Sequence, residues 1–548
     1  MPVDKTDKDW GASSKEEGVR RLWVVLAGSG AALLVFVLYV MTLAPTVLPL
    51  DQDFPDSAML QMQAAVLGIT HPTGYPTYLM LAHLFTYLPV GDVAYRVNLA
   101  SAVFAALAVL AVYAAGYLIT LRVIPAVAGS LAFGLGAALW SQATIAEVYT
   151  LNALLVSLTL LSLLRWKAVR RDRYLLLAAF GAGLCVTNHM TSALILPAGL
   201  LFVGLVQWRK LVAWRLALKV LGAFLLGITP YLYLPIRASM GAPFEGNNPD
   251  TLGRFWYVVS GGNLTGTFFA FGPAEVPGRL AFYWGHLMQN FNPFLLMFSL
   301  TGAVVLISRD RAVAALTGFL YLGWLVHALE NDIPDIQLYF IPTYLILCLW
   351  MATGLNGVLE AAEDVTGRLR GRWTVIIPGL LSLAALLLPL AGVQNTYAAN
   401  DMSERYAGRR TIEAVANLTA PDSTVLHHRG PLWYLVLVEE RRQDLTLVDP
   451  FWHNRDVHYA DLVWPGQDDL PKTDRIYGTD DFSGVTAARK AIKNGHVYIM
   501  DQGIVGPGKF EEAGFDVVRV KKGILYELVP GKDGLDAEGN TGEAGRGH

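Results

Sequence analysis

A polytopic α-helical membrane protein with about eleven transmembrane helices is the fold class this sequence predicts, with its N-terminus in the cytoplasm and a small α/β domain outside it at the C-terminal end. Three observations predict it. Of 548 residues, 54% are hydrophobic and 16% are charged, with a mean hydropathy of +0.41. A soluble protein carries about 25% charged residues. The charge is also split: residues 396–548 hold 18 of the 42 Lys+Arg and 24 of the 45 Asp+Glu, about 27% of that segment against about 11% before it. Finally, Lys and Arg recur in every second connection between apolar runs, as membrane topology requires. A net charge of −3 offers no basic field for polyanions, which excludes a nucleic-acid partner. Cys185 and Cys348 both lie in apolar runs, so no disulfide framework exists.

Residues 1–21 form a polar cytoplasmic segment ending in Arg20-Arg21. The apolar run 22–41 is long enough to span a core of ~30 Å. No convincing cleavage site follows it, so it reads as an uncleaved first helix. Ten further runs fall near 96–120, 124–142, 147–165, 174–191, 192–207, 217–236, 284–307, 312–330, 336–358 and 374–394. With the N-terminus inside, the cytoplasmic loops contain Arg165, Lys167, Arg170, Arg171 and Arg173, then Arg209, Lys210 and Arg215, then Arg309 and Arg311, then Arg368, Arg370 and Arg372. No Lys or Arg occurs at 41–95, 141–147 or 330–337, on the opposite side.

The membrane part, 22–395, carries two long outer segments, 43–95 and 237–283. The first holds a 12-residue apolar stretch, 77–88, too short to span and suited to a helix at the interface. The tail, 396–530, alternates strand-like runs (423–428, 445–448, 496–500, 516–520 and 524–529) with helix-like ones (404–418, 431–441 and 484–493), a small extracytoplasmic α/β domain. Residues 531–548 have a disordered composition.

Ionisable residues at a membrane rim are costly and tend to be functional. Here they gather on the outer side: Asp51, Asp53, Asp56 and His71 in the first loop, then Arg96, Glu147, Asn188-His189, Arg237 and the pair Asp332/Asp335. Carboxylates facing a rim cavity suit the deprotonation of an acceptor hydroxyl as a sugar leaves a lipid phosphate. Arg237 or Arg96 would clamp that phosphate. Each residue also has a plainer reading. Asp56 precedes a helical run and fits an N-cap. The stretch HPTGYP is a turn between two surface helices. Glu147 fits a helix start, His189 an interior hydrogen bond, Arg237 an interfacial snorkelling arginine, and Asp332/Asp335 a solvated turn. There is no HExxH, no cysteine pair at metal spacing and no Walker sequence. No metal ligand is therefore assigned, and a divalent-metal requirement stays open.

The run PDSAMLQMQAAVLGITHPTGYPTYLMLAHLFTYLPVGDVAYRVNL, followed by AEVYTLNAL at 146–154, TNHMT at 187–191, YLPIRA at 233–238 and DIQLYFIPTY at 335–344, resembles a family of bacterial membrane proteins. That family is related to eukaryotic transmembrane protein O-mannosyltransferases, within the GT-C class of polyprenyl-phosphate-sugar-dependent glycosyltransferases. The resemblance covers roughly residues 40–345. It implies a GT-C-like fold, Asp56 as catalytic base, and Glu147 as the second catalytic carboxylate. It also implies His71 and Tyr75 of the HPPGYP-like turn, Asn188, His189 and Arg237 as site residues. The family's DSGE is here Asp56-Ser57-Ala58-Met59, so its glutamate is missing, and Asp51 or Asp53 would take over any binding role it has. Thr73 replaces the second proline of HPPGYP.

The function this resemblance implies is inverting transfer of a sugar, mannose being the family's example. The donor would be a polyprenyl-phosphate sugar and the acceptor a hydroxyl on a protein, lipid or glycan, at the outer face of a bacterial plasma membrane. No other cofactor is implied. A transporter or lipid-linked-sugar flippase is the competing reading, but it calls for matching halves and helices broken at mid-membrane, and the polar residues instead cluster at one face. A non-catalytic membrane scaffold presenting the tail is the third, prompted by the missing DSGE glutamate.

Overall fold

The computed structural model describes residues 7–49, 56–243, 248–262, 267–369, 372–428, 430–448, 484–501 and 506–531. Asp51, Asp53 and the terminal stretch 532–548 lie outside the described residues. In chain order the first helices are α1 (Asp7–Met41), α2 (Ser57–Val66), α3 (Pro76–Phe85), α4 (Val93–Thr120), α5 (Val123–Gly134), α6 (Ala137–Ala143), α7 (Tyr149–Val169) and α8 (Arg173–Asn188). Then come α9 (Ile195–Gln207), α10 (Trp214–Gly227), α11 (Tyr233–Ser239), α12 (Leu252–Val259), α13 (Val276–Asn290), α14 (Pro293–Arg309) and α15 (Arg311–Leu329). The series continues with α16 (Ile341–Leu369), α17 (Trp373–Leu387), α18 (Val393–Asn400), α19 (Ala407–Leu418), α20 (Pro431–Leu437), α21 (Val485–Ala491) and α22 (Pro507–Glu512). They divide between two compact units. The first comprises Met1–Leu43, Leu99–Pro230 and Asn263–Asp401; the second comprises Ala44–Asn98, Tyr231–Gly262 and Met402–His548.

The first unit is helical. Among the described residues, seven helices are long and apolar enough to cross a membrane, or up to ten if each of three bent pairs counts as one span. All eleven predicted apolar runs are helical, but they do not all form straight spans. The 16-residue α8 is short of the usual ~17-residue minimum. Three runs bend, each for a local reason. The run predicted at 284–307 turns by 110° between α13 and α14. There Phe291 and Asn292 are extended, as the residue before Pro293 must be. The Asn292 side chain then caps α14 by accepting from Leu295 N–H at 3.1 Å. Between α5 and α6 the bend is 62°, at the extended Gly136. Between α10 and the helical stretch Thr229–Ser239 it is 41°.

Helices cross closely where glycine permits it. A Cβ on Gly302 in α14 would stand 1.7 Å from the Trp350 carbonyl oxygen of α16, and one on Gly354 would stand 2.0 Å from that of Phe298. Small residues let backbones approach where lipid supplies no hydrophobic drive between helices. At one side of this unit, ion pairs tie together the connections predicted to share the cytoplasmic face. Lys167 pairs with Asp310, Lys210 with Asp172 (2.8 Å) and Arg309 with Glu360 (2.5 Å).

The second unit joins the first outer loop to the tail. Its sheet has strands β1 (Thr424–Leu426), β2 (Thr446–Val448), β3 (Val497–Met500), β4 (Phe515–Lys521) and β5 (Leu525–Pro530), in the order β2-β1-β3-β5-β4. β1 runs parallel to β2 and β3, and β5 antiparallel to β3 and β4. These are the five strand-like runs of the sequence. One core gathers Leu432, Trp433, Leu435 and Val436 of α20, Ile412 and Val415 of α19, and Val47, Ala58, Met59, Met62 and Ala94 from the loop. The Ala94 N–H donates to the Tyr434 hydroxyl at 3.0 Å. At roughly 1.5–3 kcal/mol for each fully buried large apolar side chain, this core makes loop and tail one folding unit.

Charged clusters decorate that unit. Glu413 accepts from both Nη atoms of Arg441, at 2.8 and 2.9 Å, and these bonds hold its carboxyl below the usual range. Arg442 does the same for Asp444 across 2.8 Å. A carboxyl whose pKa falls on folding stabilises the fold above its unfolded value, about 4.3 for Glu and 3.9 for Asp. That contribution is lost as pH falls through the folded value. Amide exchange of segment 431–448 in the full-length protein, corrected for intrinsic rates, is expected to quicken as pH drops below about 4.3. In Glu413→Gln/Asp444→Asn that acid dependence is expected to flatten; an unchanged profile would remove these pairs as its cause.

Candidate functional site

In the second unit, Asp56 stands at the N-cap of α2. Its carbonyl accepts from Leu60 N–H at 2.8 Å, while its side chain makes no capping bond to the helix. The carboxylate instead lies beside a histidine: Asp56 Oδ2 is 3.6 Å from His71 Nε2, with the two side chains 24% and 18% exposed. The cap reading is therefore met by the backbone only. His71 is placed by the turn that follows α2. Its Nδ1 lies 3.1 Å from Thr70 Oγ1, and its carbonyl accepts from Gly74 N–H at 2.7 Å. Gly74 has φ +81°, and a Cβ there would meet Leu234 at 3.0 Å, so glycine is needed for both turn and packing. Tyr75 is also left-handed (φ +38°), an uncommon conformation for a non-glycine. Its ring sits edge-on to His71, 5.4 Å between centroids. Pro76 then opens α3.

HPTGYP is thus a turn, as the plainer reading had it, but of the helices it joins α2 is a buried helix and only α3 has an exposed side. In α2, Ser57 to Ala64 are all buried, and α3 buries Pro76, Thr77, Tyr78, Leu79 and Ala82. The opposite side of α3 and the residues just after it leave Met80, Leu84, Tyr87 and Leu88 exposed.

The two arginines expected to clamp a phosphate are engaged with backbone. Arg237 on α11 donates from Nε to Leu67 O (2.6 Å) and from Nη2 to Val66 O (3.1 Å), the last carbonyls of α2; its Nη1 lies 3.6 Å from Met240 Sδ. It is a C-terminal cap for α2, favoured by charge as well as by hydrogen bonding. Tyr233, on the same helix, donates to Gly68 O at 2.6 Å. Arg96 donates to Thr86 O (2.7 Å), Val90 O (2.8 Å) and Gly91 O (3.0 Å), stapling the loop between α3 and α4. Sequence reading missed both roles, because the acceptors are main-chain atoms.

In the first unit, Glu147 is buried in the connection between α6 and α7, and its N–H donates to Ser101 Oγ at 3.2 Å. α7 starts two residues later with Val148 as its cap residue. Asn188 ends α8 and donates to Val148 O at 3.2 Å, while its Oδ1 is buried without a hydrogen-bond partner. The next residue, His189, is extended, and its Nδ1 is 2.7 Å from Thr191 Oγ1. Its ring packs against Tyr149 (5.5 Å) and Tyr339 (5.0 Å). Tyr149 O–H donates to Asp335 Oδ2 at 2.5 Å, and His327 stacks on Tyr339 at 5.9 Å. Asp335 is therefore not the solvated turn residue expected, whereas Asp332 is exposed. Tyr149, Asp335 and Tyr339 lie inside the family-like segments AEVYTLNAL and DIQLYFIPTY, the signal that would have found them. Among the described residues, no group of three or more His, Cys, Asp or Glu is placed to hold a metal ion.

Removing the α2 cap has a defined consequence. Arg237→Ala leaves two partly buried carbonyls without this partner, at about 1 kcal/mol for each net hydrogen bond lost. Arg237→Lys keeps the charge but not the planar fork that spans both oxygens. Amide exchange of segment 57–70 is expected to rise in both variants, more in alanine; equal protection in all three proteins would refute the capping role.

Comparison with known proteins gives a consistent picture. Residues 56–212 match the family described as Protein O-mannosyl-transferase TMEM260 N-terminal domain. The mouse Protein O-mannosyl-transferase TMEM260 is 32% identical over 200 residues, which cover 34% of this chain and 28% of that protein. The Dictyostelium discoideum protein of the same name is 21% identical over 557 residues, 91% of this chain and 66% of that one. The chain thus spans less than two thirds of the curated relatives it matches. Among solved structures, ArnT from Cupriavidus metallidurans bound to undecaprenyl phosphate superposes with a TM-score of 0.58 at 14% identity, covering 92% of this chain and 98% of ArnT. The Archaeoglobus fulgidus oligosaccharyltransferase in its apo form gives 0.51 at 12% identity, covering 90% and 73%. These last two establish a shared fold.

Proposed function

We propose that this chain, which belongs with the GT-C, protein O-mannosyltransferase-like proteins, is a multi-pass membrane glycosyltransferase moving a sugar from a polyprenyl-phosphate donor to an acceptor hydroxyl. One observation carries the reading. Within the family-matched segment, the Asp56 carboxylate is held 3.6 Å from His71 and not spent on capping its helix. A carboxylate at a helix start, partly open to solvent and backed by a histidine, suits a general base.

The chemistry then runs as a single inverting displacement. Asp56 takes the acceptor's proton, the acceptor oxygen bonds to the anomeric carbon, and the bond from that carbon to the phosphate oxygen breaks. The electron pair leaves with the lipid phosphate. His71 orients Asp56 and offers the proton a second resting place. Arg237 presents Nη1 as the donor able to meet the phosphate, while Nε and Nη2 keep capping α2. Glu147 would be the second catalytic carboxylate, and Asn188 and His189, like Asp51 and Asp53, substrate-binding residues. Undecaprenyl phosphate bound to ArnT supports a lipid-phosphate donor. The exposed apolar side of α3 suits an interfacial position beside that lipid. Mannose, a protein acceptor and an outer-face site in a bacterial plasma membrane complete the reading.

Two measurements test it. Asp56→Asn removes no side-chain cap, so melting temperature should stay close to wild type. Transfer from a polyprenyl-phosphate sugar should fall by on the order of 10²-fold or more, the low end for a positioned base. Near-normal transfer in a well-folded variant would reject Asp56 as the base. Separately, reporter fusions should place 166–173 in the cytoplasm and residues after 396 outside. A tail reporter active only in the cytoplasm would reverse the orientation.

A further inference from the structure

The tail's role is the part of the molecule that family likeness leaves open. Inside the second unit, one tail side chain makes an unusual set of bonds to the first outer loop. Arg409 on α19 donates from Nη2 to Asp92 Oδ2 (2.8 Å), from Nε and Nη2 to Thr46 Oγ1 (3.2 and 3.1 Å), and from Nη1 to Glu439 Oε1 (2.5 Å). Glu413 lies 3.7 Å away. Thr46 in turn donates to Asp92 Oδ2. The other oxygen of Asp92 accepts from Tyr95 N–H at 2.8 Å, capping the start of α4. Five residues further along, Asn98 donates to Ala44 O (3.0 Å) and accepts from Gln61 Nε2 (2.8 Å), while Gln61 Oε1 accepts from Leu48 N–H (3.2 Å). Gln61 and Asn98 are fully buried. Gln61 lies on α2, the helix that begins after Asp56.

A chain of polar contacts and helix segments therefore links the tail to the candidate base: Arg409 to Asp92 at the start of α4, Asn98 on α4 to Gln61, and Gln61 along α2 to Asp56. A buried amide pair has few alternative partners, so the register of α2 against α4 is strongly specified. The start of α4 is in turn specified by Asp92 and Arg409. Apolar packing of Met59 and Met62 on the tail core would allow small slides; the polar chain would not.

We infer that Arg409 is a positioning residue of the transfer reaction, setting the place of the Asp56 carboxylate through Asp92, Asn98 and Gln61. The inference rests on the proposed function for its catalytic half, and on geometry alone for its structural half. The tail is then a brace for the reaction and more than a cover or an acceptor-binding module.

The experiment uses the full-length protein in detergent. Variants are Arg409→Ala, Arg409→Lys, Asp92→Asn, the double Arg409→Ala/Asp92→Asn, and Arg441→Gln as a control. Arg441 belongs to the same charged cluster but bonds Glu413 and Glu439, not Asp92 or Thr46. Readouts are kcat and donor KM for transfer, amide exchange of 57–66, and melting temperature. Arg409→Ala should lower kcat at least tenfold with donor KM changed less than twofold, and should quicken exchange in 57–66. The lysine variant should recover part of the rate, and the double variant should be no slower than Arg409→Ala. Arg441→Gln should keep wild-type kcat. Wild-type kcat and exchange in Arg409→Ala overturn the inference, as does an equal fall of kcat in Arg409→Ala and Arg441→Gln. If Arg409→Ala does not fold, Arg409→Lys and Asp92→Asn carry the same comparison. If wild type transfers nothing, the proposed function fails, while exchange in 57–66 still decides whether Arg409 holds α2.

Discussion

A ten-residue helix whose first eight residues are all buried, three of them polar, has to be held on every side, and much of the second unit can be understood as what holds α2. Ten residues do not make a stable helix alone. Burying Gln61 without partners would cost more than the helix gains. The loop therefore returns Leu48 N–H and Asn98 to Gln61, the tail closes over Ala58, Met59 and Met62, and Arg237 closes the far end. What this confinement delivers is a fixed carboxylate. Asp56 stands at the start of the confined helix, beside His71.

The same logic explains the disposition of cations. Three arginines of this unit have clear partners. Arg96 and Arg237 hold main-chain oxygens, and Arg409 holds Asp92 and Glu439. Beside Asp56 stands the His71 imidazole, which can share a proton without keeping it.

Fold class was largely legible in the sequence, because hydropathy and alternation are themselves physical causes of structure. The five tail strands fall on short runs rich in β-branched and other apolar residues. Eleven apolar runs are helical. Bends were not legible from averaged hydropathy: Leu135-Gly136 breaks geometry without breaking apolarity, and the polar interruption from Asn290 to Pro293 is too short to split an apolar run. The Asp56–His71 pairing was legible only through the ordered motif that carries both residues. The main-chain bonds of Arg96 and Arg237 were not legible because carbonyl acceptors leave no mark in composition. Asp335 was undervalued because Asp-Ile-Pro-Asp reads as a turn from either end. Its bond from Tyr149 is a contact 186 residues long in sequence.

That failure of local reading bears on how the tail is to be understood. Composition separates the tail sharply from the apolar part, and sequence alone therefore suggests an appended module. Packing contradicts the suggestion: the hydrophobic surface of α20 finds its complement in α2, and Arg409 finds Asp92, more than three hundred residues earlier. A boundary in solvent preference is not a boundary in folding. Charged residues concentrate in the tail, yet its core is completed by a loop that belongs, by sequence, to the membrane part. A segment that supplies the core beneath a candidate base cannot be exchanged or removed as a module without disturbing that base. In sequence, the segments Leu99–Pro230 and Asn263–Asp401 of the first unit interrupt the second, so loop and tail are better regarded as parts of one unit than as a connector and an appended module.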